Sequence, residues 1–409
     1  MAVAEKGTGH TLAVYQQEAA AELTRILDFW MLYAPDEAHG GFIGQMDSQG
    51  HIVPDAPKGG VLNARILWTF SAACRHTQNE GYRLMADRAY TYLRRYFLDK
   101  EYGGTYWSVD ALGNPLSTRK QVYALAFTIY GLTEYYLATR NEAALETSKE
   151  LFNWIEQHSF DPEQGGYFEA FSREGELLED LRLSEKDRND PKTMNTHLHI
   201  LEAYANLYRV WPDKHLAQQL EGLLMLFLKR IVAADGHMKL FLTADWVPTA
   251  DLVSYGHDIE ASWLLLEAAE VLGKQELIQR VKEVAVQMAQ VTAEALQPDG
   301  SLYHELNRTN GHTDTHREWW VSAEAMVGFL NAYQLTQQAT FLEHSRNAWA
   351  FSKKHLLDKV RGEWIWGVYD DYTSMTTEDK IGFWKCPYHN ARACLEVVHR
   401  CEQLLFNAE

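Results

Sequence analysis

Apolar residues recur at helical spacing in twelve stretches: 13–32, 60–76, 81–97, 118–139, 141–158, 191–210, 213–232, 254–272, 274–296, 318–336, 339–356 and 384–406. That periodicity predicts twelve helices. The even-numbered ones are apolar around most of their circumference: the second carries Asn63 through Ala73, the sixth Leu201 through Asn206 and the eighth Ala261 through Leu266. Odd-numbered ones, such as the stretch from Gln275 to Gln287, keep a charged face. A helix apolar all round must be covered on both sides. The even helices are therefore expected to form an inner ring and the odd ones an outer layer.

A glycine turn, usually led by an acidic residue and followed by aromatics, separates successive pairs. It occurs at Asp36 to Phe42, Asp99 to Tyr106 and Asp161 to Phe168, and in weaker form at Asp235 to Met238, Asp299 to Tyr303 and Asp358 to Trp364. Alternating residues after these turns (Tyr106 and Ser108, Phe168 and Ala170, Trp364 and Trp366) read as short hairpins. Copies spaced roughly 60–70 residues apart are the mark of a repeat architecture. The expected fold is all-α, an (α/α)6 barrel of six helical hairpins with short β-hairpins in the loops at one rim, as a single catalytic domain over 1–409. An open solenoid is the alternative; closure is preferred because neither end repeat shows a polar capping face.

Composition narrows the partners. An apolar content of 46% supports a large core, and a formal net charge of −18 argues against nucleic acid and anionic membranes, which need basic patches. The residues from Met1 to Gly9 hold no apolar signal core, and no stretch is long enough to span a membrane. Cys74, Cys386, Cys394 and Cys401 form no CxxC pair and read as free thiols of a reducing compartment. A cytoplasmic protein is expected by default, and a monomer is the simplest expectation for its assembly.

The inner helices all follow glycine hairpins, so their N-termini open at one end of the barrel. There each places polar or aromatic residues: Arg65, Tyr123, Asn195 with His199, His257 with Glu260, Trp320 with Glu324, and Trp384 with His389. Pro387, tolerated only in a first turn, puts His389 about one turn into the last helix. Asn195 and His199, and His257 and Glu260, are spaced to share a helix face. Glu260 is expected to orient His257, fix its tautomer and raise its pKa, as a general acid–base histidine requires. Arg65 is a fixed cation for an oxyanion, and Trp320 and Trp384 offer flat faces to a sugar ring. Each has a plainer reading as core or structural ion pair; their coincidence at one end argues for a shared site. Three rivals stand beside an acid–base enzyme. A metal site lacks the His-Glu-x-x-His pattern or a suitable acidic spacing around His197, His199, His257 and His389. A glycoside hydrolase needs two carboxyls flanking the bond. A sugar-binding protein would need the aromatics but no acid–base pair.

Three strings, Met194-Asn195-Thr196-His197-Leu198-His199, Gly256-His257-Asp258-Ile259-Glu260-Ala261-Ser262-Trp263 and Phe383-Trp384-Lys385 with Pro387-Tyr388-His389-Asn390, resemble the N-acylglucosamine 2-epimerase superfamily. More closely they resemble its cellobiose 2-epimerase branch, and the likeness runs from Asn63-Ala64-Arg65 through the last helix. The resemblance implies an (α/α)6 barrel and no redox cofactor. It implies C2 epimerisation of the reducing-end glucose of β-1,4-linked disaccharides, cellobiose giving glucosylmannose and lactose epilactose. N-acylglucosamine 2-epimerase or mannose (aldose–ketose) isomerase is the alternative. By the same resemblance His257 and His389 exchange the C2 proton, His199 assists ring opening, and Glu260 orients His257. Arg65, with Tyr123 and Asn195, would hold the C1 and C2 oxygens, and Trp320 and Trp384 would stack the sugars. Glu324 is placed among the substrate-binding residues. Trp246 and the charged stretch Ser184 to Lys192 are expected to lie in rim loops, with Asp187 reaching a hydroxyl of the outer sugar.

Overall fold

The computed structural model describes residues 2–406, so position 1 and positions 407–409 of the expected domain lie outside the described residues. The twelve helices are α1 (Ala2–Tyr33), α2 (Gly60–Thr77), α3 (Glu80–Tyr92), α4 (Val122–Thr139), α5 (Glu142–His158), α6 (Met194–Val210), α7 (Lys214–Leu226), α8 (Tyr255–Leu272), α9 (Gln275–Thr292), α10 (Trp319–Thr336), α11 (Ala339–Phe351) and α12 (Tyr388–Phe406). Short antiparallel sheets of two or three strands fill the loops, giving an all-α chain with β-hairpins, consistent with an α/α toroid.

α4 and α6 start later than their apolar pattern. Lys120–Gln121 pairs with Ala170–Phe171, and Lys192–Thr193 with Phe241–Leu242, so those residues are held extended before each helix begins. α12 starts only at Tyr388, which places His389 in its first turn rather than one turn in. α3, α7 and α11 each end in a wider turn closed by a bond from residue i+5 to residue i: Leu98 N–H to Leu93 O (3.3 Å), Val232 N–H to Phe227 O (2.9 Å) and Leu357 N–H to Ser352 O (3.0 Å).

The even helices pack in sequence, α2 on α4, α4 on α6, α6 on α8 and α8 on α10, while α12 touches both α10 and α2. Each odd helix lies outside an even partner, with α1 against α12. Two glycines set the closest approaches. A Cβ at Gly131 would fall 2.7 Å from the Ala64 carbonyl of α2, and one at Gly328 would fall 2.5 Å from the Ile259 carbonyl of α8.

The recurrent aspartate has a double task. One oxygen of Asp36, Asp99, Asp161 and Asp358 accepts two backbone N–H groups of its own turn. The other oxygen takes a lysine just ahead of the next inner helix: Lys58 (2.7 Å), Lys120 (2.9 Å), Lys192 (2.7 Å) and Lys380. Each turn is thus clamped to a helix start, which is what places the rim. The four cysteines are buried free thiols, and no helix among the described residues is long and apolar enough to cross a membrane.

Substituting Gly328→Ala gains about 1 kcal/mol of helix propensity. The backbone collision with α8 outweighs it, so a net loss on the order of 1–3 kcal/mol is expected in urea unfolding. A stabilised variant would show that α8 and α10 are free to separate.

Candidate active site

Arg392, in the second turn of α12, lies at the centre of the site. Its Nη2 donates to Glu260 Oε1 (2.6 Å) and Glu324 Oε1 (2.6 Å), and its Nη1 reaches Glu202 Oε1 and the Tyr388 hydroxyl. The guanidinium also lies over the rings of Tyr388 (4.2 Å) and Trp263 (4.8 Å). The three carboxylates come from α6, α8 and α10, and all four charged groups are about 1% exposed.

The carboxylates in turn hold histidines. His199 Nδ1 lies 2.9 Å from Glu202 Oε2, and His389 Nδ1 lies 2.7 Å from Glu324 Oε1. A carboxylate can only accept, so both rings carry the proton on Nδ1 and present a lone pair at Nε2. His257 differs. Its Nδ1 meets the Ser254 hydroxyl at 2.7 Å, a partner that can donate or accept, so either tautomer is available. Among the described residues the Nε2 atoms of His199, His257 and His389 have no protein partner.

Burial decides the protonation states. It pushes the His257 imidazole down to about 3, helped by repulsion from His199, His304 and His389. It pushes His389 down to about 3 as well, against the pull of Glu324. His199 is lowered for the same reason, so all three rings are neutral bases at pH 7. Burial also raises the carboxyls, but Arg392 and the histidine bonds outweigh it at Glu202 and Glu324, and Glu324 falls to about 2. Glu260 is driven the other way, up to about 8, by burial and by repulsion from Glu324 and Glu202. One guanidinium offsets two carboxylates poorly and three not at all. Repulsion and burial favour the protonated form of Glu260, whose Oε2 has no partner.

Around these groups stand the others. Arg65 Nη2 donates to the Tyr123 hydroxyl (2.8 Å), and its guanidinium lies over Phe127 (4.2 Å) and Tyr388 (4.8 Å). The Trp320 ring packs 4.7 Å from His257 and 5.7 Å from His389. Half-buried Trp384 meets Tyr123 at 6.0 Å and Trp107 at 5.9 Å. Asn195 is half-buried with Oδ1 unpartnered. Asp187, on the loop before α6, accepts from the Ser184 N–H and hydroxyl (both 2.9 Å).

Several expected roles change. Glu260 does not orient His257 or raise its pKa: its carboxyl turns to Arg392, and Ser254 holds the ring. Glu324 is fully committed to His389, Arg392 and the Trp263 indole (3.1 Å), so it positions a histidine rather than a sugar. Trp246 lies in a loop, as expected, where it is buried against His197 (5.1 Å) and Lys192 (4.7 Å). His197 has both nitrogens engaged, by Tyr167 N–H (2.9 Å) and Thr193 O (2.7 Å). Arg392, Glu202, Ser254, Tyr388 and Trp107 were missed. Two had a signal: Glu202 and Arg392 are charged residues three positions after His199 and His389, on otherwise buried helix faces. Glu260, Glu324 and His389 also converge as a metal site would, with donor atoms within 4.8 Å of one another, but Arg392 fills the position of the cation.

The Glu260 proton gives a stability test. Its native pKa of about 8 lies above the ordinary 4.5, so it contributes stability below that value and loses it as pH rises through about 8. Glu260→Gln keeps the neutral form at every pH. The Tm of the variant relative to the parent should therefore climb between about pH 4.5 and 8 and level off above that. Parallel curves would mean that Glu260 is already ionised at neutral pH.

Known proteins share this architecture. The N-acylglucosamine 2-epimerase (GlcNAc 2-epimerase) family profile matches residues 41–393. A cellobiose 2-epimerase of Bacteroides fragilis is 49% identical over 387 residues, covering 94% of this chain and 99% of that protein. One from Dictyoglomus turgidum is 39% identical over 378 residues, covering 92% and 96%. The solved structure of cellobiose 2-epimerase from Bacillus thermoamylovorans superposes with a TM-score of 0.91 at 42% identity, over 95% of this chain and all (100%) of that one. With relatives this similar over nearly their whole length, the chain belongs to the N-acylglucosamine 2-epimerase family, in its cellobiose 2-epimerase branch.

Proposed function

We propose that this chain is a cellobiose 2-epimerase, inverting C2 of the reducing-end glucose in β-1,4-linked disaccharides such as cellobiose and lactose. The observation that carries the reading is the pair His257 and His389, two neutral imidazoles with unpartnered Nε2 atoms, both packed against the Trp320 ring. The C2 proton of a cyclic hemiacetal is not acidic, whereas that of the open-chain aldehyde is. The first step is therefore ring opening: His199, its lone pair fixed by Glu202, takes the C1 hydroxyl proton and a proton is returned to the ring oxygen. One of the pair then removes the C2 proton. The electron pair left behind delocalises onto the C1 oxygen as a cis-enediolate, held by Arg65 with Tyr123. The partner, having taken up a proton at Nε2 from solvent, delivers it to the opposite face of C2; the first base releases its proton to solvent, and ring closure gives the mannose configuration.

Glu324 stabilises the imidazolium formed when His389 takes the proton. Ser254 lets His257 present either a lone pair or an N–H, so it can serve as acid in one direction and base in the other. No electrons change hands, and the route needs no cofactor. In this reading the chain is a closed (α/α)6 barrel over 1–409, a monomer of the cytoplasm, with Trp384 and Trp320 stacking the two sugars and Asn195 holding a hydroxyl.

His257→Ala and His389→Ala should each lower kcat by about 10²–10⁴-fold or more, with circular dichroism unchanged. In deuterated water the mannose-configured product of cellobiose should carry deuterium at C2. Near-normal turnover in either variant would sink the two-base scheme, and label at C1 of a ketose would instead mark an aldose–ketose isomerase.

The Ser184–Lys192 loop is assigned to the outer sugar, with Asp187 accepting from a hydroxyl. A charge-assisted bond contributes roughly 1.5–3 kcal/mol, so Asp187→Ala should lower kcat/KM for cellobiose about ten- to a hundredfold and spare mannose. Equal losses on both sugars would place Asp187 elsewhere.

A further inference from the structure

A second histidine cluster lies beside the reaction site, on the loop that leads into α10. Glu305–Asn307 and His312–Asp314 form a hairpin, and Arg317–Glu318 pairs with Gly367–Val368. This brings His304 and His316 into a stack 4.5 Å apart at 29°, and sets His316 Nε2 3.0 Å from Glu318 Oε1. His304 Nδ1 is buried without a partner. One donor atom from each of His304, His316 and Glu318 falls within 4.8 Å of the others.

We propose that His304, His316 and Glu318 form a binding site for a divalent transition-metal ion of the zinc class. Two imidazole nitrogens and a carboxylate oxygen are the donor set that borderline-soft divalent ions favour, with one position left for water. Tetrahedral bonds of about 2.0–2.2 Å put neighbouring donors roughly 3.3 Å apart, and the 3.0 Å His316–Glu318 pair is already near that separation. His304, with 19% of its side chain exposed, would turn its ring on binding to bring a nitrogen the remaining distance.

The surroundings are those of a built site. Asp314 bonds His316 Nδ1, which orients the ring and strengthens Nε2 as a donor. Glu318 is held by two indoles, Trp320 Nε1 on Oε2 and Trp366 Nε1 on Oε1 (3.1 Å). Glu305 stands 3.9 Å from His304 Nε2, a second carboxylate close to the cluster besides Glu318. The ion replaces the proton that His316 and Glu318 share, and that proton goes to solvent. Because Glu318 also anchors Trp320, whose ring packs on His257, the site lies one side chain from the reacting groups.

The test is direct and needs no turnover. Chelator-stripped protein titrated calorimetrically with zinc chloride should bind one ion per chain, and cobalt should give the visible bands of a four-coordinate site. His316→Ala and His304→Gln should each weaken zinc at least a hundredfold, and Asp314→Asn about 10–100-fold. His389→Ala should leave binding intact. Absence of saturable binding in the parent overturns the proposal. So does binding that survives both His316→Ala and His304→Gln, or that is lost in His389→Ala, which would put the ion among the other histidines.

Discussion

One buried guanidinium holds this molecule's working parts together. Arg392 joins carboxylates from three inner helices, and each carboxylate is nearly sealed from water. Buried charges of this kind contribute little net stability, because desolvation cancels most of the attraction, but a partner left alone in such a place is costly by several kcal/mol. The value of the arrangement is therefore specificity. α6, α8, α10 and α12 can slide or rotate against one another only by breaking bonds that have no substitute, so the rotations that aim His199 and His389 are fixed by the same contacts.

The electrostatics follow from a count of charges. A single cation among three carboxylates leaves surplus negative charge, which the site handles by keeping a proton on Glu260. Glu202 and Glu324 remain ionised and able to steady an imidazolium. The histidines meanwhile stay neutral, because burial and the nearby Arg65 and Arg392 disfavour a further positive charge. A base that is neutral at rest and stabilised once it has taken a proton suits removal of a weakly acidic C–H proton. His257, backed by a hydroxyl in place of a carboxylate, has less to hold its imidazolium. The pair is thus chemically unequal, as an acid and a base that face each other across one carbon should be.

Much of this was legible in the chain because local rules govern it. Helical periodicity marked the elements, and the glycine turns marked the repeat and hence the rim. Reading failed where distant residues decide. The late starts of α4 and α6 are caused by strands in the following repeat, which no local pattern reveals. Spacing by three correctly relates Glu202 to His199, although only Asn195 was paired with it from sequence. The same spacing misassigned Glu260, because on α8 the carboxyl turns inward to Arg392 of a neighbouring helix. Glu324 looked like a rim residue by position in its helix, and only the approach of α12 shows that its oxygens are already taken. Side chains on an inner helix answer to the adjacent helix before they answer to their own.

The repeat itself carries the last step. In three copies the turn closes on paired glycines, Gly40–Gly41, Gly103–Gly104 and Gly165–Gly166, all at positive φ. The final copy replaces the second glycine with Glu363 at φ 61°, a conformation that costs a side-chain-bearing residue roughly 1–2 kcal/mol. The carboxylate offsets that cost with bonds no glycine could make, to the Trp30 indole of α1, to Lys385 Nζ (3.2 Å) and to the Asn390 amide. Lys385 directly follows Trp384 and Asn390 directly follows His389, so the strained residue ties the segment carrying an aromatic platform and a base to the first helix of the chain. Where the first and last helices meet, no covalent connection runs between them, and a backbone turn alone would leave that segment free to move. A buried carboxylate at an unfavourable φ, placed where the repeat would otherwise put glycine, gives the segment the anchorage that chain continuity gives the other helix starts.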